Sequence, residues 1–289
     1  MMTLVQDIEE ESVPMQTATR HEAIVRQAFT RQAEAYAAHP LIASQDRAAQ
    51  LVRLVQPTPH DRVLEVATGP GYVAMAFATC CREVVGVDLT EAPLVIAEQT
   101  RQARGLANVR FEMANANQLP FAEATFDVVV CRFALHHFPE PQRVLGEMVR
   151  VCRAAGTVAI EDLVVSEHPE RAAFHNRLEH LRDPSHTAAL PLSRVLRLFA
   201  AAGLEVEQAR SDIFPQVLER WLQNAQTPPE SASQVRHMVE RDAMQDLSGL
   251  YPFRNHENQW CFTQRTAVVI GRKLRGETTR SRQGADESL

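Results

Sequence analysis

The stretch VLEVATGPGYVA, Val63 to Ala74, decides how the rest of the chain is read. An apolar, β-branched run ends at Ala67, Gly69 and Gly71 and gives way at Tyr72 to residues that suit a helix, so it reads as strand, tight turn and helix. Glycines at 69 and 71 permit positive φ and close backbone approach, and the helix that follows points its first amides at the turn. Taken as G-x-G-x-x-A, Gly69, Gly71 and Ala74 match a dinucleotide-binding fingerprint, and Asp88 follows the next strand where a ribose-binding acid belongs. An ordinary βα turn with no ligand has the same form. The turn alone therefore leaves hydride transfer, group transfer and a purely structural role open.

Outward from this turn, short apolar runs recur: RVLEVA from Arg62, EVVGVD from Glu83, VRFEMA from Val109, FDVVVC from Phe126 and GTVAIEDLVV from Gly156. Stretches long enough for crossover helices separate most of them, which predicts right-handed βαβ units and a parallel sheet. Near the C-terminus LEVEQARSD from Leu204 and WCFTQRTAVVIGRK from Trp260 alternate as half-exposed strands that pair antiparallel at an edge, with a helical insert over residues 213–250 between them. The expected fold class is α/β: a Rossmann-like, doubly wound, mostly parallel seven-stranded sheet with helices on both faces, an N-terminal helical lid and a helical insert before the last strand. Polar residues 1–18 and 276–289 read as disordered ends around one domain over residues 19–275. Within it, residues 19–56 form N-terminal helices, two of them, broken at Pro40. Phe29 and Tyr36 lie seven apart on one helical face, as on a lid that closes over a ligand.

Composition narrows the chemistry. A net charge of -6 and the lack of a long basic run argue against binding nucleic acid through its phosphates. No apolar run of membrane-spanning length and no secretory leader stand out, so a cytoplasmic protein without a membrane span is expected. The five cysteines, two of them adjacent at Cys80 and Cys81, follow neither a disulfide framework nor a metal-site spacing, and no metal site is expected.

Glu65 sits in an otherwise apolar strand two residues before the turn, where a pyrophosphate gains nothing from another negative charge and a cationic ligand gains much. Further on, MANANQLPFAEATFDVVVCRFALHHFPEPQRVLGEMVRVCRAAGTVAIED, Met113 to Asp162, resembles the corresponding region of class I S-adenosylmethionine-dependent methyltransferases. That family shows a G-D-A-x-x-L-P-F turn, an F-D-x-V strand, an L-H-H-F segment and a helix ending R-V-L-x-P-G-G. The resemblance spans residues 28–273 and is nearest to the ubiquinone/menaquinone methyltransferase-like group, methyltransferase type 11. It implies S-adenosylmethionine as cofactor, a small-molecule methyl acceptor and in-line displacement driven by proximity and orientation.

Carried over residue by residue, the resemblance implies that Glu65 faces the methionyl ammonium and that the backbone of Ala67, Gly69 and Gly71 runs past the amino-acid moiety and ribose. Asp88 accepts from both ribose hydroxyls and Leu89 packs on adenine. Asn115 reads the adenine edge with its side chain and Ala116 with its backbone N–H, while Arg132 and Phe133 border the methionine arm. This chain departs from the family pattern at Ala67, where a glycine is usual and where an alanine is tolerable at negative φ, at Asn115 in place of Asp, and at RAAG, Arg153 to Gly156.

For the acceptor, His136 and His137 follow the strand at Phe126, and Glu161 and Asp162 end the strand next door. A histidine oriented by a carboxylate is a good general base near neutral pH. Asp162 is preferred to Glu161 because the resemblance to sugar O-methyltransferases of the group places a functional aspartate there. Whether His136 or His137 is the base stays open. A second cluster, His175, His180, Asp183 and His186, reads as a solvated helix face and turn rather than a metal site. The alternatives are an NAD(P)-dependent oxidoreductase and a non-catalytic S-adenosylmethionine-binding protein. The acceptor atom and the choice between monomer and homodimer stay open.

Overall fold

The computed structural model describes residues 12–275. Three helices, α1 (Ser12–Ala37), α2 (Pro40–Ala43) and α3 (Gln45–Val55), precede β1 (Arg62–Val66), α4 (Tyr72–Ala78), β2 (Glu83–Asp88), α5 (Glu91–Ala103) and β3 (Val109–Met113). Then come β4 (Phe126–Arg132), a 3₁₀ turn at Leu135–His137, α6 (Pro141–Val151), β5 (Cys152–Val165), α7 (Pro169–Arg182), β6 (Leu190–Pro191) and α8 (Leu192–Ala201). The chain continues through β7 (Leu204–Val217), α9 (Leu218–Asn224), α10 (Pro229–Gln245), β8 (Phe253–Arg254) and β9 (Trp260–Lys273).

Seven strands run in the order β3-β2-β1-β4-β5-β9-β7. The first five are mutually parallel, and β9 lies antiparallel between β5 and β7. Two short strands, β6 beside β5 and β8 beside β9, bring the sheet to nine. Strand alternation divides the core. Leu64, Val66, Val85, Val87 and Val129 face Leu145, Met148 and Phe199 of α6 and α8, whereas Val63, Val84, Val128 and Val130 face Leu51 and Phe77 of α3 and α4. Burial of both faces explains the near-continuous apolar runs. A third cluster joins Leu178 of α7 to Trp221, Val235 and Phe262, so the helical insert builds its own small core beside the sheet.

Four details differ from expectation. Helix α1 begins at Ser12, ahead of residue 19, while residues 1–11 and 276–289 lie outside the described residues. Pro40 starts a helix as well as separating two: its fixed φ suits a first turn, and the His39 ring caps it by accepting from Leu41 N. Strand β7 continues to Val217, because β9 offers it partners as far as Val217 opposite Cys261. The helical insert consequently begins at Leu218 and not at Ile213. No helix among the described residues is long and apolar enough to cross a membrane.

Candidate functional site

In a doubly wound sheet the ligand crevice opens at the carboxyl ends of the central strands. Here β1 ends in a turn whose Ala67, Gly69 and Gly71 all have positive φ, 56°, 52° and 75°. The condition of a negative φ at Ala67 is not met: its backbone is left-handed, at a cost of about 1 to 2 kcal/mol for a residue with a Cβ. Phe133, just past β4, repeats this at φ 52°. Two left-handed non-glycine residues at the ends of neighbouring strands mark a crevice in which the surroundings over-determine the backbone.

Gly71 has a packing task besides the one the resemblance implies. A Cβ there would lie 2.5 Å from Phe111 Cζ and 3.0 Å from Ala97 Cβ, so its missing side chain lets α4, α5 and β3 pack together. Gly69 remains at the cleft wall, under Tyr36.

Glu65 is buried, and its Oε2 accepts from Thr68 Oγ1 at 2.5 Å and from Ala74 N at 2.7 Å. It thus caps the first turn of α4 as well as facing the crevice. Burial pushes its carboxyl up to about 7, against the lowering effect of those two bonds and of Arg132. Asp88, half-buried at the end of β2, accepts from Gly69 N at 2.8 Å and Thr90 N at 2.9 Å. Burial raises its carboxyl above the usual range despite these donors.

Asp88, Leu89, Asn115 and Ala116 line a cleft of about 740 Å³ together with Ala67 and Gly69. Asn115 does not present a free carbonyl there. Its Oδ1 accepts from Asn117 N at 2.9 Å and its Nδ2 donates to Glu22 at 2.8 Å. Arg132 lines a smaller recess with Glu65, pairs with Glu161 at 3.1 Å, donates to Leu41 O at 2.9 Å and lies over the Phe133 ring. Glu161 also meets Arg47 at 3.4 Å.

A second cavity, of about 580 Å³, adjoins the cleft and shares Phe29, Tyr36, Phe133 and His137 with it. His136 and Asp183 line only this second cavity. His136 Nδ1 lies 2.5 Å from Asp162 Oδ1, and Leu135 N and Leu163 N donate to the same carboxylate at 2.5 and 2.6 Å. Burial would lower the His136 imidazole, but the Asp162 charge and hydrogen bond, with Glu179 and Asp183 behind them, hold it above its usual value. His137 is the opposite case: burial and the neighbouring His136 drive it down to about 4. Its Nδ1 is 2.9 Å from Ser185 O and 3.2 Å from Ser185 Oγ, which itself donates to Asp183 at 2.6 Å.

The second polar cluster is not a solvated face. His175, Glu179, Asp183 and His186 are buried, and only His180 is exposed. Burial would raise Glu179, yet His175, Arg182 and His186 outweigh it and hold its carboxyl near 2. Among the described residues no group of three or more such side chains is arranged to hold a metal ion.

Glu22 and Gln32 were not read from the sequence as site residues, and Tyr36 was read only as part of a lid. The signal was present in their spacing. Glu22, Val25, Phe29, Gln32 and Tyr36 alternate by three and four, so they form one stripe of α1, and that stripe faces the two cavities.

A sequence profile described as a methyltransferase domain matches residues 64–160. An uncharacterized methyltransferase of Bacillus subtilis, YcgJ, is 30% identical over 207 residues, covering 72% of this chain and 82% of the relative. A demethylmenaquinone methyltransferase of Geobacillus kaustophilus is 41% identical over 104 residues, 35% of this chain and 44% of that one. Among solved structures, that of YcgJ superposes with a TM-score of 0.74 at 28% identity, covering 80% of this chain and all of the other. A putative methyltransferase from Bacillus halodurans superposes at 0.75 with the same identity and coverage. The crevice at β1 and β2, with its buried Glu65 and its Asp88, thus occurs in a chain that belongs to the class I S-adenosylmethionine-dependent methyltransferases.

Proposed function

We propose that this enzyme methylates a small molecule held in the second cavity, and that His136, oriented by Asp162, takes the acceptor's proton. One observation carries the reading: two cavities share the wall formed by Phe29, Tyr36, Phe133 and His137, and His136, with Asp162 behind it at 2.5 Å, lines only the second. A recess walled by α1, the end of β4 and the helical insert suits a compact organic acceptor rather than a polymer.

The residues of the first cleft fit the cofactor by their chemistry. Asp88 keeps lone pairs for a ribose diol, and Glu65 is a buried carboxylate suited to an ammonium group. S-adenosylmethionine, when bound, supplies a methyl group on a positively charged sulfur. The chain's own contribution is to position and to exclude water: Tyr36 and Phe133 line both cavities and the Glu65 recess, where α1 shields them from solvent. Asp162, accepting from His136 Nδ1–H, leaves Nε2 free to receive a proton from an acidic O–H, N–H or C–H and stabilises the imidazolium formed. Hydride transfer is set aside by the family to which the chain belongs.

Incubation with methyl-labelled S-adenosylmethionine and a metabolite extract tests the reading. Label should move to a low-molecular-weight product. With that product in hand, His136→Ala should lower kcat by about 10²- to 10⁴-fold with S-adenosylhomocysteine affinity unchanged. Because the His136 pKa is raised, wild-type kcat should fall as pH drops through that value and level off above it. Full turnover in His136→Ala would rule out the base; label found only in macromolecules would rule out a small acceptor.

A further inference from the structure

We propose that Glu22, carried by the covering helix α1, reads the amino edge of the cofactor's purine. The inference rests on the cofactor reading above and goes beyond it, because it assigns base recognition to the lid rather than to the sheet.

Among the residues lining the first cleft the acids are Asp88 and Glu22. Asp88, at the end of β2, is tied to Gly69 N and Thr90 N, the place for a sugar diol. Beyond it Leu89, Ala116 and Phe138 make an apolar slot suited to a flat base. The polar groups around that slot are Asn115, Asn117 and Glu22. An exocyclic amine is a donor and needs an acceptor. Asn115 has turned its Oδ1 inward, onto Asn117 N, and points its Nδ2 at Glu22. Asn117 Nδ2 also points at Glu22, at 3.3 Å. Both amides turn their donors to Glu22 Oε1, and Glu22 Oε2, which has no hydrogen bond among the described residues, is left as the charged acceptor at the cleft. Helix α1 is fastened at this spot: Arg26 Nη1 donates to Leu89 O at 2.6 Å and the His21 ring meets His137 O at 2.9 Å. The carboxylate is thus held at the slot by contacts that do not involve the base.

An amine at the purine 6-position completes this arrangement. A 6-oxo group opposes it, since acceptor then faces acceptor. The chain should accordingly distinguish adenine from hypoxanthine, and the discrimination should pass through Glu22.

Calorimetry with S-adenosylhomocysteine and its inosine counterpart, on the wild type, Glu22→Gln and Arg26→Ala, tests this. Wild type should prefer the adenine compound by about 100-fold, the scale expected for a charge-assisted hydrogen bond exchanged for a repulsion. Glu22→Gln, whose amide can rotate to donate, should reduce that preference to below about tenfold. Arg26→Ala loosens the helix without touching the base, so it should weaken both compounds by one factor and leave the ratio intact. An unchanged ratio in Glu22→Gln overturns the assignment while leaving the cofactor reading standing. Failure of the wild type to bind either compound overturns both.

Discussion

Replacing Glu65 by Gln changes one charge and almost no volume, and it separates the two tasks of this residue. A glutamine oxygen can still accept from Thr68 Oγ1 and Ala74 N, so the turn into α4 should survive. What disappears is the titration. With the carboxyl near 7, it is about 9% ionised at pH 6.0 and about 76% ionised at pH 7.5. If only the ionised form complements an ammonium group, affinity for S-adenosylhomocysteine should rise about eightfold across that interval. The sign follows from linkage: a bound cation favours the charged carboxylate, so binding releases a proton and strengthens as pH rises.

Stability runs the other way. The folded carboxyl titrates near 7 and the unfolded one near 4.5, so its contribution is fully present below 4.5 and is lost as pH rises through 7, about 3 kcal/mol by pH 8. Glu65→Gln should therefore melt higher than the wild type at pH 8 without ligand, and the gain should shrink toward pH 4.5. Calorimetry at several pH values, in buffers of different ionisation enthalpy, measures both the slope and the proton. A wild-type affinity flat between pH 6.0 and 7.5, or a Glu65→Gln variant with the same slope, would refute the reasoning.

Three further outcomes are expected. Asp88→Asn should weaken S-adenosylhomocysteine binding by about ten- to a hundredfold, the cost of a charged acceptor at the ribose, and an undiminished affinity by titration would remove Asp88 from the site. Gly71→Ala should destabilise the fold by about 2 kcal/mol or more, read from urea unfolding, because its Cβ collides with Phe111 at a positive φ; a neutral effect would mean that the packing there is loose. Hydrogen exchange over residues 22–50 should slow on addition of S-adenosylhomocysteine if α1 closes over the cofactor, and unchanged rates would make it a fixed wall.

Much of this site could be read from the sequence because strand ends are predictable. Once Glu65, Asp88, Arg132 and Asp162 are placed near the ends of parallel strands, topology gathers them at one edge. Which histidine meets Asp162 was not legible. It depends on the 3₁₀ turn at Leu135–His137, where successive side chains diverge by about 120° and send His136 to Asp162 and His137 to Ser185. The role of Gly71 was hidden for a related reason: a glycine beside a ligand and a glycine beside Phe111 look alike until the register of β3 against β2 sets Phe111 opposite Gly86. Burial of His175 and Glu179 escaped notice because polar residues spaced by four look solvated. The partner of Glu179 on β9, Gln264, and the cover given by α9 and α10 come from long-range packing.

The position of β9 constrains the order in which the protein can be made. Strand β5 carries Glu161 and Asp162, and along that stretch its neighbour on one side is β9, with Val268 opposite Glu161 and Ala267 opposite Asp162. Strand β7 likewise has β9 as its sheet partner. Until β9 has left the ribosome, both strands expose unpaired backbone and the segment bearing Asp162 is a bare edge. A nascent chain can thus pair β1 to β5 early, while the β9 side of the segment bearing Asp162 stays open until more than a hundred further residues have emerged. For as long as translation takes to cover that distance, the edges of β5 and β7 that β9 will separate are open to pairing with one another.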